Sequence, residues 1–172
     1  MRSQLTTLTL LVLMGLGLTA CGVGADSAEG DTPSYVPSTD EHPCLEVTVS
    51  APEVIELETE TMVRVDVNNR CDETVTYDGS VAPYHLQLVS SDDKIVWFTP
   101  SEAIPALPVE YAVAANGTNS YEAPVKLPSD SVLPGDYRVI AKISVGQDTP
   151  DTAQYVEPLK LESKPQNVSV EP

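Results

Sequence analysis

Tyr137-Arg138-Val139-Ile140-Ala141-Lys142-Ile143-Ser144-Val145 is the longest alternating run in the chain. Tyr137, Val139, Ala141, Ile143 and Val145 fall on one side, a period of two. That is the pattern of a β-strand with one face in a core and the other toward solvent. Pro134-Gly135-Asp136, just before it, is a turn signal.

The same period recurs on the N-terminal side. Leu45, Val47 and Val49 alternate with Glu46, Thr48 and Ser50. Val63, Val65 and Val67 alternate with Arg64 and Asp66, and Tyr84, Leu86 and Leu88 with His85 and Gln87. Tyr121, Ala123, Val125 and Leu127 follow the rule, and Leu159 and Leu161 close the set on the C-terminal side. Lys94 to Thr99 differs: Ile95 and Trp97 point one way, Val96 and Phe98 the other, as in a strand covered on both faces. Asn68-Asn69, Asp78-Gly79, Ser91-Asp92-Asp93 and Asn116-Gly117 punctuate the strands as turns, and Ala112 to Ser120 reads as a hairpin around Asn116-Gly117. The chain has 15 prolines, which argues against long helices; Pro100 to Ala106 is the one short helical candidate. Seven to nine short antiparallel strands over residues 44–172 predict an all-β, immunoglobulin-like sandwich, with a closed barrel as the alternative.

Residues 1–20 read differently. Arg2 is their only charged side chain, and Leu8, Leu10, Leu11, Val12, Leu13 and Met14 form an apolar centre that ends in small residues. The run is shorter than the ~20 apolar residues of a membrane-spanning helix, so a cleaved signal is expected. Its end, Leu18-Thr19-Ala20-Cys21, resembles the lipobox of bacterial lipoproteins. The resemblance implies cleavage after Ala20, acyl chains such as palmitate on Cys21, and membrane contact through that lipid. Gly22, rather than Asp, at the next position leans toward the outer membrane of a cell envelope. An ordinary secretory signal with a chance cysteine is the alternative. Residues 21–43, rich in Gly, Ser, Asp, Glu, Thr and Pro, read as a flexible acidic tether.

Removing 20 of the 172 residues leaves 152, enough for one domain with a substantial core. The whole chain carries a net charge of -17. Such a surface repels nucleic acid and anionic headgroups, so neither is an expected partner. Of three cysteines, Cys21 is committed to lipid. Cys44 and Cys71 then form an even pair in an oxidising compartment, which predicts a disulfide; a metal or redox pair is the weaker alternative, because no Cys-x-x-Cys spacing occurs.

A second resemblance rests on an ordered set of short pieces. Asn68-Asn69-Arg70-Cys71-Asp72-Glu73-Thr74-Val75 is similar to a strand exit of the intracellular proteinase inhibitor (BsuPI-like) family. His85-Leu86-Gln87-Leu88 follows, then Asp93-Lys94-Ile95-Val96-Trp97, then Leu133-Pro134-Gly135-Asp136-Tyr137-Arg138-Val139. The family resemblance covers roughly residues 61–146 and implies an immunoglobulin-like sandwich and, for the founding member, proteinase inhibition. The family's inhibitor is cytosolic, whereas this chain carries an export signal, and the middle-strand Pro-Gly-Glu is here Asn116-Gly117-Thr118. Fold transfers more readily than activity.

Catalytic patterns are sparse. Gly15-x-Gly17-x-x-Ala20 lies inside the signal and follows no strand, and no Gly-x-Ser-x-Gly elbow occurs. His42 and His85 read as surface residues without partners at metal-ligand spacing. Asp92-Asp93 and Asp148-x-x-Asp151 are solvated turns, with calcium as the alternative. No catalytic residue, metal or cofactor is expected. Trp97, the only tryptophan, reads as core, or as a ligand platform with Phe98 and Tyr111. The Pro-rich stretch from Thr99 to Val109, holding Ile104, Leu107 and Val109 among Pro100, Pro105 and Pro108, is the candidate binding loop with Trp97 and Phe98; the alternative is a simple sheet-edge cover. Together these features predict a non-catalytic, lipid-anchored envelope module that binds a protein or supports an assembly, or else an envelope proteinase inhibitor whose partner is a protease.

Overall fold

The computed structural model describes residues 32–79, 83–99, 109–145 and 159–172. Every regular element among them is a β-strand, and the architecture is an immunoglobulin-like sandwich. The strands are β1 (Leu45–Ser50), β2 (Val54–Glu56), β3 (Glu60–Asn69), β4 (Val75–Gly79), β5 (His85–Ser90), β6 (Ile95–Phe98), β7 (Val109–Val113), β8 (Thr118–Lys126), β9 (Gly135–Val145), β10 (Leu159–Glu162) and β11 (Gln166–Glu171). One sheet has the order β1-β3-β8. The opposing sheet has the order β2-β11-β9-β5-β6, with β10 also paired to β9; β4 and β7 form a separate two-stranded ladder.

β9, built from the alternating run, is the hub of the larger sheet. Its residues Val139, Ala141, Ile143 and Val145 are buried in the main core. They meet Leu86 and Leu88 of β5, Val63, Val65 and Val67 of β3, and Ala123 and Val125 of β8. Each fully buried aliphatic side chain contributes roughly 1.5–3 kcal/mol of transfer free energy, so these alternating faces hold the sheets together. At the entry to β9, Gly135 has φ +156°, a conformation side-chain-bearing residues rarely adopt. Two residues on, the Tyr137 hydroxyl donates to the Leu133 carbonyl at 2.8 Å, the tethering seen in a tyrosine corner.

The eleven strands exceed the seven to nine expected, for local reasons. β10 and β11 pair with successive stretches of β9 and are separated by Ser163-Lys164-Pro165. The Ser163 hydroxyl and backbone fill the gap by bonding Ala141, at 3.0 and 2.8 Å. β2 has only three residues and pairs in parallel with β11, which departs from the all-antiparallel expectation. Asp78-Gly79 is not a turn but the end of β4, opposite Val109 and Glu110 of β7.

Asn116-Gly117 is a tight turn, yet not a hairpin: β7 pairs with β4, whereas β8 pairs with β3. Asn116 has φ +52°, and a Cβ on Gly117 would sit 2.9 Å from the Ala114 carbonyl oxygen. Backbone bonds from Asn116 to Cys71 and from Asn69 to Gly117 tie this corner to the end of β3.

The disulfide predicted between Cys44 and Cys71 is present, with Cα atoms 5.1 Å apart. It joins the residue before β1 to the exit of β3, which are already antiparallel neighbours. Beside it, His42 is not the surface residue expected. Its Nδ1 accepts the amides of Cys44 and Leu45, both at 3.1 Å, and so caps the start of β1.

Candidate functional site

The sequence places a domain boundary at residue 44, after a free tether. The structure moves it. Residues 33–40 form a strap that runs in contact with the outer face of the larger sheet. Pro33 to Tyr35 add to the edge of β6: Ile95 N–H donates to the Pro33 carbonyl at 2.9 Å, Tyr35 N–H donates to the Asp93 carbonyl at 2.6 Å, and Ser34 bridges Lys94. Further along, Ser38 Oγ donates to the Lys160 carbonyl at 2.6 Å, Ser38 N–H donates to Glu162 at 3.1 Å, and Lys160 N–H donates to Asp40 at 2.9 Å.

Tyr35 is the one deeply buried residue of the strap. It forms a second, separate cluster with Val89, Ile140 and Ile95. Val89 and Ile140 sit on the solvent phase of their strands, yet both are fully buried, because the tyrosine ring covers them. Lys142 Nζ lies 5.0 Å and the Arg138 guanidinium 5.8 Å from the ring centroid, within the range of cation–π attraction. The Tyr35 hydroxyl donates to Glu162, which also pairs with Lys142 at 3.1 Å. Burial first, and then the Glu162 carboxylate, hold the Tyr35 hydroxyl well above the usual phenol range.

Arg138 also borders an open cleft of about 480 Å³ lined by Glu53, Ser91, Asp136, Tyr137, Asn167 and Ser169, among others. Its guanidinium is held in place by Asp93 at 2.5 Å and by the Ser90 carbonyl at 3.1 Å. Charges of both signs, an amide and hydroxyls border it together with Tyr137 and Val168.

The predicted site residues separate. Cys21, Ile104 and Leu107 lie outside the described residues. Trp97 is half-buried against the main core and, with Leu86, Leu88, Val125 and Val139, borders an internal cavity of only about 10 Å³. Phe98, next to it, is 56% exposed at the end of the edge strand β6, whereas Ile95 packs against the outer Tyr35 cluster and Val96 and Trp97 against the main core. Val109 is 42% exposed at the start of β7, in a different sheet. Tyr111, on β7, belongs to a group of tyrosines. It stacks on Tyr77 at 5.5 Å and meets Tyr121 edge-on at 6.3 Å, while the Tyr77 and Tyr121 hydroxyls are 2.5 Å apart.

Among the described residues no group of three His, Cys, Asp or Glu side chains gathers to hold a metal, and no helix is long and apolar enough to cross a membrane. Asp92 and Asp93, read as solvated turn residues with calcium as the alternative, pair with cations of the chain itself: Lys94 and Arg138. The strap went unread because its one anchoring residue, Tyr35, stands alone in a polar segment without periodicity. The available signal was Val89 and Ile140, apolar residues at solvent-phase positions of otherwise alternating strands.

No protein-family model matches the chain, and no curated protein matches it. Solved structures resemble it in fold. The CARDB domain of a Pyrococcus furiosus protein, solved in complex with di-metal ions, shares 13% identity at a TM-score of 0.42, over 80% of this chain and 95% of that one. The C-terminal domain of wzt shares 16% at 0.48, over 81% and 82%. The sporulation control protein of Bacillus subtilis shares 12% at 0.46, over 76% and 51%.

Proposed function

We propose that the chain is a lipid-anchored lipoprotein of a bacterial cell envelope, outer membrane favoured, whose sandwich is a non-catalytic binding or structural module. The observation that carries this reading is the Cys44–Cys71 disulfide lying downstream of Leu18-Thr19-Ala20-Cys21. Stable disulfides belong to oxidising compartments, which is where a lipobox would deliver the domain.

The test is metabolic labelling with palmitate followed by membrane fractionation. The wild-type chain takes up label and sediments with membranes; Cys21→Ser does neither. Label on both, or on neither, defeats the lipoprotein reading. Gly22→Asp shifts the labelled protein toward the inner membrane if residue 22 sorts it.

A second reading, an envelope proteinase inhibitor of the BsuPI-like type, draws on exposed Phe98 at the entrance to the stretch from Thr99 to Val109. A panel of serine, cysteine and metalloproteases assayed with the purified protein decides it: no inhibition across the panel removes this reading and leaves the binding module.

A further inference from the structure

We propose that the outer face of β5 and β9, together with the β6 edge, is a peptide-binding site for an extended, aromatic-bearing segment of another protein, and that residues 33–40 fill it as an exchangeable occupant. This goes beyond the lipoprotein reading and does not depend on it.

The strap displays what the face recognises. It binds in extended form and adds main-chain bonds to β6 at Asp93 and Ile95. This is strand addition, in which backbone bonds supply affinity and pockets for individual side chains supply selectivity. One pocket is used: the aromatic ring of Tyr35 lies on Val89, Ile95 and Ile140, beside Arg138 and Lys142. Glu162 accepts the phenol and the Ser38 amide, so a hydroxyl-bearing ring is preferred over a plain one.

The occupant is lightly held. Val36 is 73% exposed, and Pro37, Thr39 and Asp40 are exposed as well, so Tyr35 is the one deeply buried side chain of the segment, and the remaining ties are the hydrogen bonds of its backbone and of Ser38 and Asp40. The main core contains no residue before Leu45. The Cys44–Cys71 staple and the His42 cap lie between the strap and β1. Strap release therefore leaves the sandwich and its core intact, exposing Val89 and Ile140. A cis occupant lowers the apparent affinity of a competitor by the fraction of time it is bound, which makes the site selective for strong or locally concentrated partners.

Charge favours a different protein over a second copy. The chain carries a net charge of -17 and repels its own kind. On this face, Lys94, Arg138 and Lys142 offset Asp92, Asp93 and Glu162, which makes it a near-neutral landing area on an acidic molecule.

The test uses the full chain and a fluorescent peptide with the sequence of residues 32–41, read by anisotropy. Tyr35→Ala binds the peptide at least tenfold more tightly than wild type, and a peptide with alanine in place of its tyrosine loses binding to both. No binding to a cooperatively melting Tyr35→Ala chain at millimolar peptide overturns the proposal. Should that variant fail to fold, amide hydrogen exchange on the wild type decides. Tyr35 and Ile95 amides exchanging much faster than those of Val139 and Ala141 support an exchangeable strap, and equal protection refutes it. A wild-type dimer that disperses on Tyr35→Ala assigns the face to a second copy and overturns the assignment to another protein.

Discussion

The side-chain amide of Asn69 donates to the Val113 carbonyl at 3.1 Å, in the buried angle between β3 and the β7–β8 corner. The same nitrogen is within bonding distance of the Glu73 and Ala114 carbonyls, at 2.7 and 3.1 Å, and Oδ1 accepts the Cys71 amide at 3.0 Å. One buried side chain thus satisfies backbone groups from two segments, the loop after β3 and the end of β7. Asn69→Ala leaves these groups unpaired and should cost about 3 kcal/mol in urea unfolding. Asn69→Asp keeps the acceptor and loses the donor, so a loss nearly as large is expected. A near-neutral Asp variant would show that only the Cys71 contact matters.

The disulfide spans a sequence separation of 27 residues. Chain-entropy reasoning assigns a loop of that length about 3–4 kcal/mol. Reductant, or Cys44→Ala with Cys71→Ala, should lower the melting temperature by on the order of 10 °C. The ladder of β1 against β3 should survive, because its pairing from Leu45 to Ser50 is independent of the bridge.

Stability should fall on mild acidification through His42. Burial lowers its pKa below the ordinary value of about 6.5, and its Nδ1 lone pair is engaged by two amides. The unfolded chain therefore holds more protons than the folded one just below pH 6.5. Its contribution is complete above that value and is lost as pH falls through it toward the lower folded pKa. Melting curves from pH 8 to pH 5 should show this slope in the wild type and a shallower one in His42→Ala. Identical slopes would remove His42 from the account.

Trp97 and Phe98 are neighbours with opposite exposures. Trp97→Ala opens a hole against Leu86, Leu88 and Val139 and should cost about 3 kcal/mol. Phe98→Ser removes a ring that is 56% exposed and should change stability by less than about 0.5 kcal/mol. In crosslinking from intact cells, Phe98→Ser should reduce partner capture. Unchanged capture would move the contact away from β6.

Burial raises the pKa of three tyrosines, Tyr35, Tyr77 and Tyr84, of which Tyr35 and Tyr77 are raised furthest. Burial, and then the Tyr121 hydroxyl, raise the Tyr77 pKa far above that of a free phenol, and Tyr35 is raised as well. Groups whose pKa is raised on folding add stability below the unfolded value of about 10 and lose it as pH climbs beyond that value toward the folded one. Absorbance titration should show these two phenols ionising only as the domain unfolds. Tyr77→Phe should make unfolding above pH 10 less steep.

Local pattern made much of this molecule legible. A period of two needs no knowledge of partners, because a one-residue shift would turn every buried valine of β3 or β9 outward. The even cysteine pair was readable for a similar reason: two thiols in an oxidising setting have few alternatives. The candidate site was far less legible. Tyr35 carries no local signature, since its role depends on Ile140 and Val89, which lie far from it in sequence. His42 and Asn69 looked like a surface side chain and a turn residue. Their acceptor and donor roles exist only once β1, β3 and the β7–β8 corner converge.

The sequence alone determined the all-β class, the inward face of each long strand and the cysteine pairing, because alternation and cysteine chemistry are properties of single segments. Tertiary structure decided where β7 and β8 part company, how β10 and β11 share β9, and that residues 33–40 belong to the folded domain. Those outcomes depend on which buried polar groups and apolar side chains from distant segments satisfy one another, and no single segment carries that information.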